Sequence, residues 1–372
     1  MSVRLPAILL SLICLLVLQN GALHVESARS GTFHWHNGTR TGTNTFHWYN
    51  GLFVFGDSFA DTGNFPKSKL SEVTRQWYKP YGTSHVLFVP DPAGRFSDGL
   101  VQSDLIAKIV GRSYAPKTYR STKGSFADQF GVNFAVGGAG VFEVARKAPT
   151  LAKQIDSFKK MLDAGDIGKW QLKESVALVA ISGNDYASVA RANMSDGEVL
   201  SFIGNVTDEI ARGVRRLRKM GVTRVLVNTL HPLGCTPAQA RPSKYTKCTC
   251  RGNMAAEVHN DDLRKKLKSG DSGVHLLDLN RAFSNIINPS HSHHIPKVAK
   301  QFIRNKLKPC CESFDPSGYC GQVDEDGHAL YSLCSKPEKH FFWDDVHPTQ
   351  AGWEAVMKEL EGDIKNFLHI SY

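Results

Sequence analysis

Beyond its first eighteen residues the chain has no apolar run long enough to cross a bilayer, which excludes internal membrane spans. Acidic residues are in the minority, 35 against 45 Lys and Arg, and the formal net charge is +10. That excess is not organised as a nucleic-acid motif, so no nucleic-acid partner is expected. Its densest run, Arg215-Arg216-Leu217-Arg218-Lys219, closes an expected helix, where cations complement the negative end of the helix dipole. The remainder reads as dispersed solubilising charge; weak binding to an acidic polysaccharide is the alternative it permits. Cysteine is absent between Cys14 and Cys235. Cys248-x-Cys250 with Cys310-Cys311 lacks the spacing of a zinc site. What the chain does have is an ordinary apolar content, 41%, enough for a sizeable core over 372 residues. Single α/β domains of this length are routine.

The chain opens with Arg4 and an apolar run from Leu5 to Leu18, the length of a signal-peptide core and short for a membrane span. Val25-Glu26-Ser27 has small residues at the two positions a signal peptidase reads, so 1–27 is read as a signal peptide, a retained anchor being the alternative. Its removal takes away Arg4 and Glu26 and leaves the net charge unchanged. The mature protein is expected outside the cell. Residues 28–50 contain a short duplication, Thr32-Phe33-His34-Trp35-His36-Asn37-Gly38 and Thr45-Phe46-His47-Trp48-Tyr49-Asn50-Gly51. Two units are too few for a solenoid, and a poorly ordered extension is expected there. Residues 51–372 then read as one domain.

That domain is organised around Leu52-Phe53-Val54-Phe55-Gly56-Asp57-Ser58. Four apolar residues suit a strand buried on both faces, and Gly-Asp-Ser ends it abruptly. A serine there sits at a strand's carboxyl end, where open α/β sheets place their sites. The competing reading makes Ser58 the N-cap of a following helix. Near the other end of the chain, Asp344 stands three residues before His347, and Pro348 keeps His347 out of helical geometry. On a tight loop the carboxylate can reach one imidazole nitrogen and leave the other for Ser58, an orienter, base and nucleophile arrangement. Two further stretches offer donors for an oxyanion. Asn133-Phe134-Ala135-Val136-Gly137-Gly138-Ala139-Gly140 has glycines that let backbone N–H groups approach a ligand, and Val176–Ile181 is a second buried-strand run that ends in Ser182-Gly183-Asn184-Asp185.

In this order and at these separations the four stretches resemble the GDSL (SGNH) esterase/lipase family in its plant secreted branch. Ser58, Gly137, Asn184 and His347 match the four name-giving letters, and Asp344 the family's aspartate. The likeness runs from about Leu52 to the last helix and includes Gly94-Arg95-Phe96-Ser97-Asp98-Gly99 and Pro232-Leu233-Gly234-Cys235. Val136 departs from it, standing where plant members often carry a small polar residue. The resemblance implies a three-layer, flavodoxin-like α/β/α fold with a mostly parallel sheet, and a serine esterase or lipase without a cofactor. It also implies a bridge from Cys235 to Cys248 or Cys250 and another among Cys310, Cys311, Cys320 and Cys334. An apoplastic or cell-wall location follows from the same likeness.

The order of expected elements agrees with such a fold. A helix near Leu100–Val110 interrupts a Pro- and Gly-rich loop region over 65–119, where Arg95 and Asp98 are a candidate buried pair. Thr150 can cap a helix bearing Leu151, Ile155, Phe158 and Leu162 on one face. After Val176–Ile181 come a helix over Glu198–Met220, a strand over Val222–Val227, a helix near Met254–Leu267, a strand over Val274–Leu279 and a last helix after Thr349. Strands alternating with helices imply a parallel sheet covered on both faces. Ser58 is followed by Phe59 and Ala60, so the Gly-x-Ser-x-Gly elbow of α/β-hydrolases is disfavoured.

Loss of Cys14 with the leader would leave seven cysteines, hence at least one thiol that is free or intermolecular. Asn37, Asn193 and Asn205 head glycosylation sequons. His291-Ser292-His293-His294 lacks a nearby carboxylate and reads as a solvated loop rather than a metal site. The expected chemistry is acyl transfer through Ser58, with His347 as base, Asp344 as its orienter, and oxyanion donors at Ser58 N, Gly137 N and the Asn184 amide. Asp57 and Asp185, beside them, are assigned structural roles. Interception of the acyl-enzyme by an alcohol would make the protein an acyltransferase; a silent binding protein is the reading from another class. No residue names the acyl or alcohol group of the substrate.

Overall fold

Leu52 and Val54 pack on one side of the first strand and Phe53 and Phe55 on the other, and all four are buried. This is why the run shows no polar alternation: the strand has helices on both faces. The computed structural model describes residues 49, 51–84, 94–122, 130–144, 148–189, 194–267, 271–288 and 297–370. The expected signal peptide, almost all of the 28–50 extension, Asn37, Asn193 and the 291–294 histidine tract lie outside these residues. Tyr49 is described; it is buried, and its hydroxyl donates to Leu368 O at 3.0 Å.

Five parallel strands form the sheet: β1 Gly51–Gly56, β2 Gly131–Asn133, β3 Ser175–Ala180, β4 Arg224–Asn228 and β5 Val274–Leu277. Their spatial order is β2-β1-β3-β4-β5. The chain therefore winds outward in one direction from β1 to β2, and in the other from β3 to β5. The switch between β1 and β3 opens a crevice at their carboxyl ends, the place where this topology puts ligands.

Among the described residues six longer helices cover the sheet: α1 Gln102–Ile109, α2 Leu151–Asp163, α3 Asp196–Lys219, α4 Cys250–Leu267, α5 Leu279–Ile287 and α6 Gln350–Leu368. Helices α1, α5 and α6 share one core with Leu52, Val54 and Leu178, and α2, α3 and α4 share the other with Phe53, Phe55 and Val179. The starts of several helices follow local chemistry. Thr150 accepts the Lys153 N–H, and Ser195 with Glu198 forms a capping box ahead of α3. Thr349 accepts the Gly352 N–H at the start of α6.

Three differences from the sequence expectations have physical causes. The last sheet strand stops at Leu277 rather than Leu279, because Asp278 accepts the Arg281 N–H at 3.0 Å and so starts α5, a helix the sequence reading did not expect. β2 is only three residues long, too short for a pattern to register. A two-stranded antiparallel pair, β6 Cys311–Ser313 and β7 Tyr331–Leu333, has strands of three residues, too short for a pattern to register, and disulfides Cys310–Cys334 and Cys311–Cys320 bracket it.

Candidate active site

Strand β1 has to end in glycine. Gly56 adopts φ +144, and a Cβ there would lie 2.1 Å from Ala180 O on the neighbouring strand. The Gln154 amide clasps its backbone, accepting from Gly56 N at 2.8 Å and donating to Gly56 O at 2.9 Å. Asp57 O then accepts the N–H groups of Ala60 and Asp61, so the chain turns without starting a helix. The N-cap reading of Ser58 does not hold. Its side chain stands at the carboxyl end of β1, beside the switch point.

The base arrives on a loop that is tight for a local reason. Trp343 N donates to His347 O at 2.7 Å, closing a loop that contains Asp344, and Thr349 N donates to Phe341 O at 3.0 Å. Inside it, Asp344 Oδ1 accepts from Val346 N at 3.0 Å and His347 N at 2.8 Å. The same carboxylate lies 2.8 Å and 2.9 Å from His347 Nδ1 through its two oxygens. With the Nδ1 proton directed at Asp344, Nε2 is the acceptor, and Ser58 Oγ lies 2.8 Å from it. Phe96, from the Gly94–Gly99 stretch, stacks on the imidazole at 4.9 Å between centroids. The β6–β7 pair braces the loop from outside: Cys310 N and Cys311 N donate to Phe342 O and Trp343 O. Disulfides Cys310–Cys334 and Cys311–Cys320 hold that pair.

The three expected oxyanion donors are placed unequally. Ser58 N has no acceptor among the described residues. Gly137 N, by contrast, donates to Asp61 Oδ2 at 2.8 Å. Its neighbour Gly138, at φ +80, has an N–H with no acceptor among the described residues. Two adjacent glycines give one sequence signal, and only the position of Asp61 separates them. The Asn184 amide lies at the carboxyl end of β3 as expected and donates to Ala139 O at 2.9 Å and Asp57 Oδ2 at 3.1 Å.

Asp57 and Asp61 are buried acceptors. Asp57 also takes Ser182 N at 2.6 Å and Ser182 Oγ at 2.7 Å, tying the β1 loop to the β3 loop. Asp61 gathers the N–H groups of Gly63, Asn64 and Phe65 as well as Gly137. Burial pushes both carboxyls up to about 6, against the opposing pull of these neutral donors. Asp185 accepts from Val141 N and Phe142 N and fixes the far end of the glycine loop.

The expected Arg95–Asp98 pair is replaced by another. Arg95 makes a bidentate ion pair with Asp104 on α1, two bonds of 2.8 Å. Asp98 instead accepts from Ser84 and Ser97 side chains and from Gln350 N. Asp104 at the N3 position of α1 also caps Val101 N, a place where two carboxylate oxygens face one guanidinium. Nearness in sequence had favoured the wrong acid.

Two residues with no sequence signal stand behind Asp344. The Tyr81 hydroxyl donates to Asp344 Oδ2 at 2.6 Å, and Arg75 Nη2 lies 3.2 Å from the same oxygen. Arg75 Nε donates to the Tyr81 oxygen at 2.6 Å and Nη1 to Glu72 O at 2.6 Å. Burial would raise the Asp344 carboxyl, but the charges of His347 and Arg75 and their hydrogen bonds hold it well below the usual carboxylate range.

Outside this cluster, Cys235 pairs with Cys248. Asn205 is exposed on α3, while the Thr207 hydroxyl of its sequon is buried and hydrogen-bonded to Asp262 and Lys266. Among the described residues Asp324, Asp326 and His328 form an exposed cluster close enough to share an ion, well apart from the Ser58 machinery in sequence. No described helix is long and apolar enough to cross a membrane.

Comparison with known proteins points to one family. The family described as GDSL-like Lipase/Acylhydrolase matches residues 52–360. A GDSL esterase/lipase of Arabidopsis thaliana is 38% identical over 316 residues, covering 83% of this chain and 85% of its own. A second from the same plant is 36% identical over 322 residues, covering 84% and 88%. A third is 35% identical over 324 residues, covering 84% and 86%.

Proposed function

The chain belongs to the GDSL-like lipase/acylhydrolase family and is a carboxylic ester hydrolase, and from that premise we propose that it works through an acyl-enzyme on Ser58. The observation that carries this reading is the continuous relay from Asp344 through both nitrogens of His347 to Ser58 Oγ, with hydrogen bonds of 2.8 Å at each end. His347 takes the Ser58 proton as Oγ attacks the ester carbonyl, while Asp344 holds the ring and balances its charge. Ser58 N and Gly138 N donate to the tetrahedral oxyanion, and the Asn184 amide, anchored on Ala139 O, turns its longer bond, the one to Asp57, toward the same oxygen. His347 then protonates the leaving alcohol, and water repeats the sequence on the acyl-enzyme. No step calls for a cofactor.

The protein acts, in this reading, as a single hydrolase domain over 51–372 exported to the apoplast or wall. Support for export comes from the leader-like start of the sequence and from the disulfides. Hydrolysis of p-nitrophenyl acetate and longer esters, with Ser58→Ala alongside, tests the mechanism. Loss of the serine is expected to lower kcat on the order of 10⁶-fold. Equal rates in the two proteins would remove Ser58 from the nucleophile's role.

A further inference from the structure

Arg75 is an unusual cation: only 2% of it is exposed, at the start of the short 3-10 turn Arg75–Trp77. An isolated guanidinium in such a place would cost several kcal/mol, so its partners define its role. Two of those partners, Tyr81 and Asp344, meet at one atom; Nη2 also lies 3.4 Å from Asp345 Oδ1, and Nη1 donates to Glu72 O. Asp344 Oδ2 receives Tyr81 Oη and Arg75 Nη2, and Tyr81 is itself held by Arg75 Nε, a closed three-membered array. The other oxygen, Oδ1, takes the two backbone N–H groups of its own loop and the imidazole. The imidazole Nδ1 reaches Oδ2 as well, at 2.9 Å, so it is the one donor the two oxygens share. The Arg75 guanidinium also lies 5.5 Å from the Phe96 ring, the ring that stacks on His347.

We propose that Arg75, acting directly and through Tyr81, is a positioning residue of the triad that keeps Asp344 ionised and oriented and sets how far into acid His347 stays available as a base. The proposal rests on the serine-esterase reading. A positive charge disfavours added protons on every group near it, so its removal moves the titration of the Asp344–His347 pair to higher pH. The other charged or titratable groups facing the pair are Asp345 on the same loop, Asp57 after β1 and His231 after β4. Burial pushes His231 down to about 3, and it stays neutral; Asp57, pushed up to about 6, titrates in wild type and variants alike.

The test is the pH dependence of kcat/KM on p-nitrophenyl acetate for Arg75→Met, Arg75→Lys and Tyr81→Phe. It is paired with NMR titration of the His347 ring, identified by the signal lost in His347→Gln. Arg75→Met is expected to shift the acid limb and the ring titration upward by about one unit, an extra tenfold rate loss on the acid side. Arg75→Lys keeps the limb near its wild-type place, and Tyr81→Phe moves it the same way by less. A slower Arg75→Met with an unmoved limb and unmoved ring titration overturns the proposal, as does a Lys variant that shifts as far as Met. If Arg75→Met does not fold, Tyr81→Phe is judged by the same criterion. The ring titration needs no turnover, so an inactive wild type would sink the esterase reading while leaving this one decided by NMR.

Discussion

The loop that carries Ser58 and the loop that carries His347 are each organised by a buried aspartate, and the two aspartates are held in opposite ways. Asp57, with Asp61 beside it, is surrounded by backbone N–H groups, a hydroxyl and an amide, and has no cation in contact among the described residues. Burial wins there and lifts the carboxyls toward neutrality. Asp344 is buried to the same degree, yet lies against Arg75 and His347 and stays well below the usual range. Asp104, paired with Arg95, is likewise lowered. Burial alone therefore does not decide whether these carboxylates hold charge; a cation within about 3 Å does. The division suits the work. The nucleophile loop needs acceptors that fix geometry, whereas the base loop needs a charge that persists while imidazolium forms.

The sharpest way to break this contrast is Asp344→Asn, which keeps the volume and one acceptor but removes the charge. If neutral donors and acceptors sufficed at this loop as they do at Asp57, the variant would turn over normally. A fall in kcat of about 10⁴-fold is expected instead, read with p-nitrophenyl acetate near neutral pH. Next in size is Asp104→Asn, which strands the Arg95 guanidinium. Urea unfolding should show a loss of about 3–5 kcal/mol, with Asp98→Asn well below that because Asp98 has no cation. Equal losses would mean that the pairing with Asp104 is not the stabilising one.

The third concerns pH. Burial pushes the Asp57 carboxyl up to about 6 in the folded protein, against an ordinary 3.8. A raised folded value means that the proton stabilises the fold: the contribution is complete below the ordinary value and is lost as pH rises through about 6. Two units correspond to roughly 3 kcal/mol. Asp57→Asn does not titrate, so the stability difference between wild type and variant should shrink by that amount from about pH 4 to about pH 7. Urea midpoints at the two pH values measure it; a constant difference would place Asp57 with the cation-held group.

Much of this site was readable before any coordinates. Gly-Asp-Ser after an apolar run, Asp-x-x-His before proline and Gly-Asn-Asp after a second run each carry their geometry locally, and the structure puts all three at one end of one sheet. The capping signals of Thr150, Ser195 and Thr349 are equally short-range. What escaped was choice among equivalents: Asp104 rather than Asp98 for Arg95, and Gly138 rather than Gly137 for an unengaged N–H. Arg75 and Tyr81 escaped altogether, since they lie 269 and 263 residues from Asp344 in the chain.

By itself, then, the sequence determined the alternation of strands and helices, the apolar faces, the turn chemistry and the identity of Ser58, Asp344 and His347 as candidates. These depend on neighbours within a few residues, where backbone geometry leaves few options. The tertiary structure alone decided which acid meets which base and which N–H stays open. Such choices depend on distances set when β1 and β3 lie side by side and the 343–347 loop closes over them, and an ångström there separates a hydrogen bond from none.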